Sequence, residues 1–138
     1  MTLLDAYALI AFLVGGPAAP RVRGILREGD AAVATANLAE TLDVSQRLHG
    51  LSSARAMETL EPLLDGPLTA VALDLPIARR AAEMRARYYH RSSCPISLAD
   101  AVLLATARPG DRLVTADPDV LAIAPREGIE PLALPEQG

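Results

Sequence analysis

The stretch Ile96-Ser97-Leu98-Ala99-Asp100-Ala101-Val102-Leu103-Leu104-Ala105-Thr106-Ala107 decides the fold. It is apolar on nearly every side, which predicts a buried helix. Asp100 is its only charge, one turn from the start. An ionised carboxylate in such a place is costly unless a proton, a partner charge or a metal compensates it. Ser97 sits where an N-cap belongs and puts Asp100 at the third helical position, where a carboxylate can fold back onto the cap. On this stretch alone Asp100 reads as a cap; the rest of the chain decides whether it is more.

Outward from this helix, strands and helices alternate. Residues 68–73 predict a strand. Asp74 caps the helix after it, with Pro76 in the first turn, running to about Tyr89. Pro109-Gly110-Asp111 turns the chain into a strand over 112–115, Asp117-Pro118 opens a short turn or helix, and a last strand near 129–134 precedes a polar tail. Toward the N-terminus, residues 2–4 form a short apolar strand ending at Asp5, and residues 6–14 a helix stopped by Gly15-Gly16-Pro17. A second helix runs from Pro20 to about Glu28. Residues 31–36 predict a strand despite their alanines. Asn37 reads as the N-cap of a helix to about His49, with Glu40 at its third position, repeating the Ser97–Asp100 pattern. Ser52 or Ser53 caps a helix over 54–64 that carries an apolar stripe of Met57, Leu60, Leu63 and Leu64. The alternation predicts an α/β domain with a largely parallel sheet, a single domain over 1–138.

Composition narrows the function classes. Only 3% of the residues are aromatic, so Leu, Ala, Val and Ile must build the core. All thirteen basic residues are arginine, and the net charge of −4 argues against a broad basic surface for non-specific DNA binding. The single cysteine, Cys94, forms no internal disulfide and suits a reducing compartment. The apolar run over 6–14 imitates a signal peptide, but Asp5 stands where its basic region should be, and the run is too short to span a bilayer. The expectation is a soluble cytoplasmic protein with no membrane partner.

In a parallel α/β sheet, ligands sit at the carboxyl ends of the strands. Asp5 ends the first strand, Glu40 lies in the first turn after the second, Asp117 follows the fourth, and the helix carrying Asp100 begins at the same edge. Topology alone therefore places four acids on one rim. Each can also serve as a cap or a turn residue. Capping does not account for carboxylates set against such apolar runs, and a hard divalent cation is the natural compensation for several that repel.

The segments Leu3-Leu4-Asp5-Ala6, Asn37-Leu38-Ala39-Glu40, Ser97-Leu98-Ala99-Asp100-Ala101 and Leu113-Val114-Thr115-Ala116-Asp117, in that order and spacing, resemble the PIN-domain family, and by size a VapC-type toxin of a type II toxin–antitoxin pair. The resemblance implies a three-layer α/β/α sandwich around a central sheet of about four to five strands. It implies a metal-dependent endoribonuclease using Mg²⁺ or Mn²⁺, with Asp5, Glu40, Asp100 and Asp117 as catalytic, metal-holding acids and no nucleophilic side chain. It also implies a cognate antitoxin that places an arginine at the acidic pocket, where guanidinium can pair two carboxylate oxygens. Asp119 can share the role of Asp117, and Thr115 matches a common family hydroxyl.

Other residues carry weaker signals. Arg79, Arg80, Arg87 and Arg91 are candidate RNA contacts, against the reading of a solvated helix face. His49 and His90 read as surface residues, and Asp43 and Arg47 as an exposed helical pair. The apolar stripe and the early helices exceed what a small sheet needs, which predicts a surface for a second copy or an antitoxin segment. A receiver-type signalling domain would share the architecture, but it typically uses a lysine and this chain has none. A non-catalytic interaction module and a DNA nuclease remain as competing readings.

Overall fold

A computed structural model describes residues 1–136; the last two residues of the expected polar tail lie outside them. The chain runs β1 (Thr2–Leu4), α1 (Ala6–Val14), α2 (Ala19–Glu28), β2 (Ala31–Ala34), α3 (Thr35–His49), α4 (Ser53–Leu64), β3 (Leu68–Val71), α5 (Leu75–Tyr88), α6 (Leu98–Thr106), β4 (Arg112–Thr115), α7 (Pro118–Ile123), a 3₁₀ turn (Ala124–Glu127) and β5 (Glu130–Ala133). The sheet has five strands in the order β3-β2-β1-β4-β5, parallel at every pairing.

Strand alternation divides the core. Leu4, Val33 and Val114 face one side and pack with apolar residues of α1, α2 and α4. Leu3, Ala32 and Leu113 face the other and pack with Met84 of α5, Leu103 and Leu104 of α6, and Val120 and Ile123 of α7. The result is the expected α/β/α sandwich. The alanines of β2 fit because the strand is buried on both faces: Ala34 meets Ala81, Ala101 and Ala105, so small side chains let α5 and α6 approach closely. Residues 101–106 of α6 are all buried, as its composition requires. Truncating Leu103 to alanine there would cost about 2–5 kcal/mol.

The strand order fixes where a ligand can sit. From β1 the chain builds outward to β2 and β3, then returns past β1 to form β4 and β5. Connections after β1 and β4 therefore diverge, and a crevice opens at their carboxyl ends.

One local expectation is corrected. Asn37 is not an N-cap: α3 begins at Thr35 directly after β2, with Ala34 at the cap position and no side-chain cap bond. The Thr35 hydroxyl accepts from the Leu73 backbone N–H at 3.2 Å, tying the segment after β3 to the start of α3. Glu40 consequently lies in the second turn and closes no capping box. The expected boxes and caps at Ser97–Asp100, Ser52, Asp74 and Asp5 are present. β2 and β3 are shorter than expected, and the 3₁₀ turn had no sequence signal.

Among the described residues no single helix is long and apolar enough to cross a membrane; α1 and α2 meet at 110°. Leu60 of the apolar stripe is wholly buried, whereas Met57, Leu63 and Leu64 are half-buried. Beside them lies an open groove of about 420 Å³ lined by Phe12, Leu26, Leu63 and Pro67, with Arg23 and Arg27 at its rim.

Candidate active site

Asp5, Glu40, Asp100 and Asp117 line one cavity of about 400 Å³ at the crevice beyond β1 and β4. Each is delivered by a different element, and three do double duty as caps. The Asp5 Oδ1 accepts from the Ala8 N–H at 2.8 Å and starts α1. The Asp100 Oδ2 accepts from the Ser97 N–H at 3.0 Å, and the Ser97 Oγ accepts from the Asp100 N–H at 3.0 Å. The Asp117 Oδ1 accepts from the Asp119 N–H at 2.8 Å and starts α7. Capping and clustering therefore coexist in the same side chains.

The electrostatics of the cluster are unfavourable for charge. Burial pushes the Asp5 carboxyl up to about 6; bonds from the Thr115 hydroxyl and the Ala8 N–H oppose this, and the charges of Asp100 and Glu40 add to it. Asp100 is raised chiefly by burial, against its Ser97 hydrogen bonds, and further by Asp117 and Asp119. Glu40 is also raised chiefly by burial, with a hydrogen bond from Asn37 pulling it down and Asp100 and Asp43 pushing it up. Among the described residues none of the four has a cation within ion-pair distance.

Two further residues organise the cluster. Thr115, fully buried at the end of β4, bonds the Asp5 carboxylate, and its Oγ1 accepts from the Asp117 N–H at 3.0 Å. One hydroxyl thus ties two of the acids together. Asn37 is 1% exposed; its Nδ2 donates to the Ala99 carbonyl at 3.3 Å, which holds α3 against the start of α6, while its Oδ1 has no partner. Sequence reading missed this because asparagine before a helix reads as a cap. It also missed Tyr7 and Glu136 on the cavity wall. The Tyr7 hydroxyl donates to the Pro135 carbonyl and brings the C-terminal segment there, a long-range contact with no local signature.

Donor chemistry fits a hard divalent ion: the acids offer only oxygen, are crowded, and lack cationic partners. Among the described residues no group of three or more Asp, Glu, His or Cys side chains is placed closely enough to hold a metal ion by itself.

The arginines divide. Arg80 donates from Nε and Nη2 to the Ala105 carbonyl, both at 3.1 Å, closing the end of α6. Arg87 pairs with Glu127 at 3.1 Å. Arg79 and Arg91 are exposed. His49 and His90 are exposed as expected, and Arg47 pairs with Asp43 at 3.3 Å on the surface.

The PIN domain family matches residues 2–125. No curated protein matches the sequence. Among solved structures, the chain is similar to a toxin–antitoxin complex from Klebsiella pneumoniae, at 22% identity and a TM-score of 0.66, with 94% of this chain and 95% of that chain covered. It is similar to the DNA-bound VapBC from Salmonella typhimurium at 21% identity and a TM-score of 0.70, covering 94% and 96%. It is also similar to FitAcB from Neisseria gonorrhoeae at 26% identity and a TM-score of 0.65, covering 94% and 96%. With the family matched across nearly its whole length and four acids on one cavity at the carboxyl edge of a parallel sheet, the chain belongs to the PIN domain family.

Proposed function

We propose that this chain is the toxin of a toxin–antitoxin pair, acting as a metal-dependent endoribonuclease that hydrolyses RNA phosphodiester bonds. The observation that carries the reading is the convergence of Asp5, Glu40, Asp100 and Asp117, all without cationic partners, on one cavity at the topological switch point. Family membership supports a nuclease, and the solved structures of similar fold include a toxin–antitoxin complex, a DNA-bound VapBC and FitAcB.

Asp5, Asp100 and Glu40 are the residues that would hold the ion. A divalent cation supplies charge neutralisation for the phosphate and a water of lowered pKa. Asp117, capping the start of α7, orients the attacking water and accepts its proton as the new P–O bond forms; the bridging P–O bond breaks and the leaving oxygen takes a proton from solvent water. Thr115 fixes Asp5 and Asp117 relative to each other. The groove beside Phe12, Leu26 and Leu63, toward the amino edge, is a suitable seat for an apolar antitoxin segment, and the arginine expected from such a partner would come from a separate part of it to meet the four acids as a substitute cation.

Purified protein incubated with single-stranded RNA tests this. Cleavage should require Mn²⁺ or Mg²⁺ and stop on chelation. Losing a partner that merely orients a metal ligand costs about 10–100-fold, so Asp100→Asn should lose at least about 100-fold. Equal cleavage by the variant, or cleavage in chelator, would reject the assignment; preferential cutting of DNA of the same sequence would replace RNA by DNA.

A further inference from the structure

The acidic cavity offers a polyanionic strand no cation of its own, so the phosphates flanking the one being cut must meet positive charge nearby. The short α7 turn is the place to look, because Asp117 lines the acidic cavity while Asp119 lines a second cavity of about 360 Å³ on the other side of Pro118. Tyr88, Ser93, Cys94, Ala122, Ile123 and Arg126 complete its walls. The loop between α5 and α6 gives Ser93 and Cys94 to this second cavity and leads directly into α6, whose Asp100 lines the acidic one.

Two guanidinium groups flank Tyr88, Arg87 at 5.7 Å and Arg126 at 5.8 Å from the ring centroid. They are not equivalent. Arg87 is paired with Glu127, whose carboxylate also accepts from the Tyr88 hydroxyl. Arg126 is exposed and, among the described residues, has no carboxylate within ion-pair distance. A cation near an aromatic face is attracted without using its donors, so Arg126 lies beside Tyr88 with those donors free to bind.

We propose that this second cavity is a subsite for the RNA strand beside the scissile bond, in which Arg126, beside Tyr88, pairs with a flanking backbone phosphate. It rests on the nuclease reading above and adds to it a residue that the sequence did not single out. Asp119 stands on the same wall and sets a limit on how tightly a phosphate is held there.

Cleavage kinetics on a fluorogenic ten-nucleotide RNA, with Mn²⁺ and over a range of salt, test the subsite. Losing one charge-assisted contact should raise KM roughly tenfold in Arg126→Ala while kcat stays within about twofold. The slope of log(1/KM) against log salt should flatten by about 0.7, the contribution of one phosphate in a single strand. Arg126→Lys should keep the slope, Asp119→Asn should lower KM, and Arg55→Ala, exposed on α4 at the other face of the sheet, should change neither. Arg126→Ala behaving like Arg55→Ala rejects the subsite and leaves the nuclease reading intact, provided wild type cuts with Mn²⁺ and Asp100→Asn does not. Failure of wild type to cut, or full cleavage by Asp100→Asn, removes the nuclease reading and this subsite with it.

Discussion

The two ends of the parallel sheet treat acidic residues in opposite ways. At the amino edge, Asp111 accepts from the N-terminal ammonium of Met1 at 2.8 Å, Asp30 lies 3.5 Å from the same group, and Glu28 pairs with Arg112. At the carboxyl edge, Asp5, Glu40, Asp100 and Asp117 share a cavity without a cation among the described residues. Acids at the first edge lower the free energy of the fold or leave it unchanged. At the second, Asp5, Asp100 and Glu40 are costly to ionise, since burial and then neighbouring acids raise all three carboxyls. Unfavourable charge kept together in one place marks a site that expects a counter-charge from outside.

Substitutions at the two edges should separate activity from stability. The largest effect is on cleavage: Asp117→Asn should lower kcat by about 10²-fold or more, as for loss of a general base, with little change in melting temperature because Asn still caps α7. Asp111→Asn, at the other edge, should lower the melting temperature and leave cleavage unchanged. Cleavage lost equally at both edges would erase the contrast.

Next in size is the pH dependence at Asp5. Its folded-state pKa of about 6 lies above the ordinary 3.8, so the native state binds the extra proton. The contribution of Asp5 to stability is therefore fully present below about pH 4 and is lost as pH rises through about 6. A shift of roughly two units corresponds to about 3 kcal/mol. Asp5→Asn should thus be more stable than wild type at pH 7 by up to that amount, with the difference vanishing near pH 4. Urea unfolding of both proteins across this range measures it, and a constant difference would contradict the burial account.

Thr115→Val should act on both quantities. It leaves the Asp117 N–H without its acceptor and costs about 1–3 kcal/mol, while loosening Asp5. Thr115→Ser should restore most of the stability. The smallest effect belongs to the exposed Asp43–Arg47 pair, where Asp43→Asn should change stability by less than about 0.5 kcal/mol.

The carboxyl-edge half of this contrast was legible in the sequence. Thr2-Leu3-Leu4 followed at once by Asp5 marks a buried strand ending in a carboxylate, and Ser97 with Asp100 marks the start of a buried helix at the same edge. What hid was long-range. Asn37 resembles a cap, yet β2 runs straight into α3 and its amide is used to hold α6. Arg80 and Arg87 look like a free basic face, yet each is engaged by a partner 25 and 40 residues away. Arg126 carried no pattern at all, because its place beside the site depends on a 3₁₀ turn with no periodic signal. The Tyr7–Pro135 contact spans 128 residues. Local chemistry wrote the acids into the sequence; their neighbours came from packing.

The central claim is that the carboxyl-edge acids are a cation site and the amino-edge acids are not. Thermal unfolding with increasing Mn²⁺ tests it most directly. An ion that binds only the folded state adds about 2.7 kcal/mol at one hundred times its Kd, several degrees in melting temperature. Wild type and Asp111→Asn should show that rise, and Asp100→Asn should show little of it. Equal shifts in all three proteins would place the ion elsewhere and contradict the account.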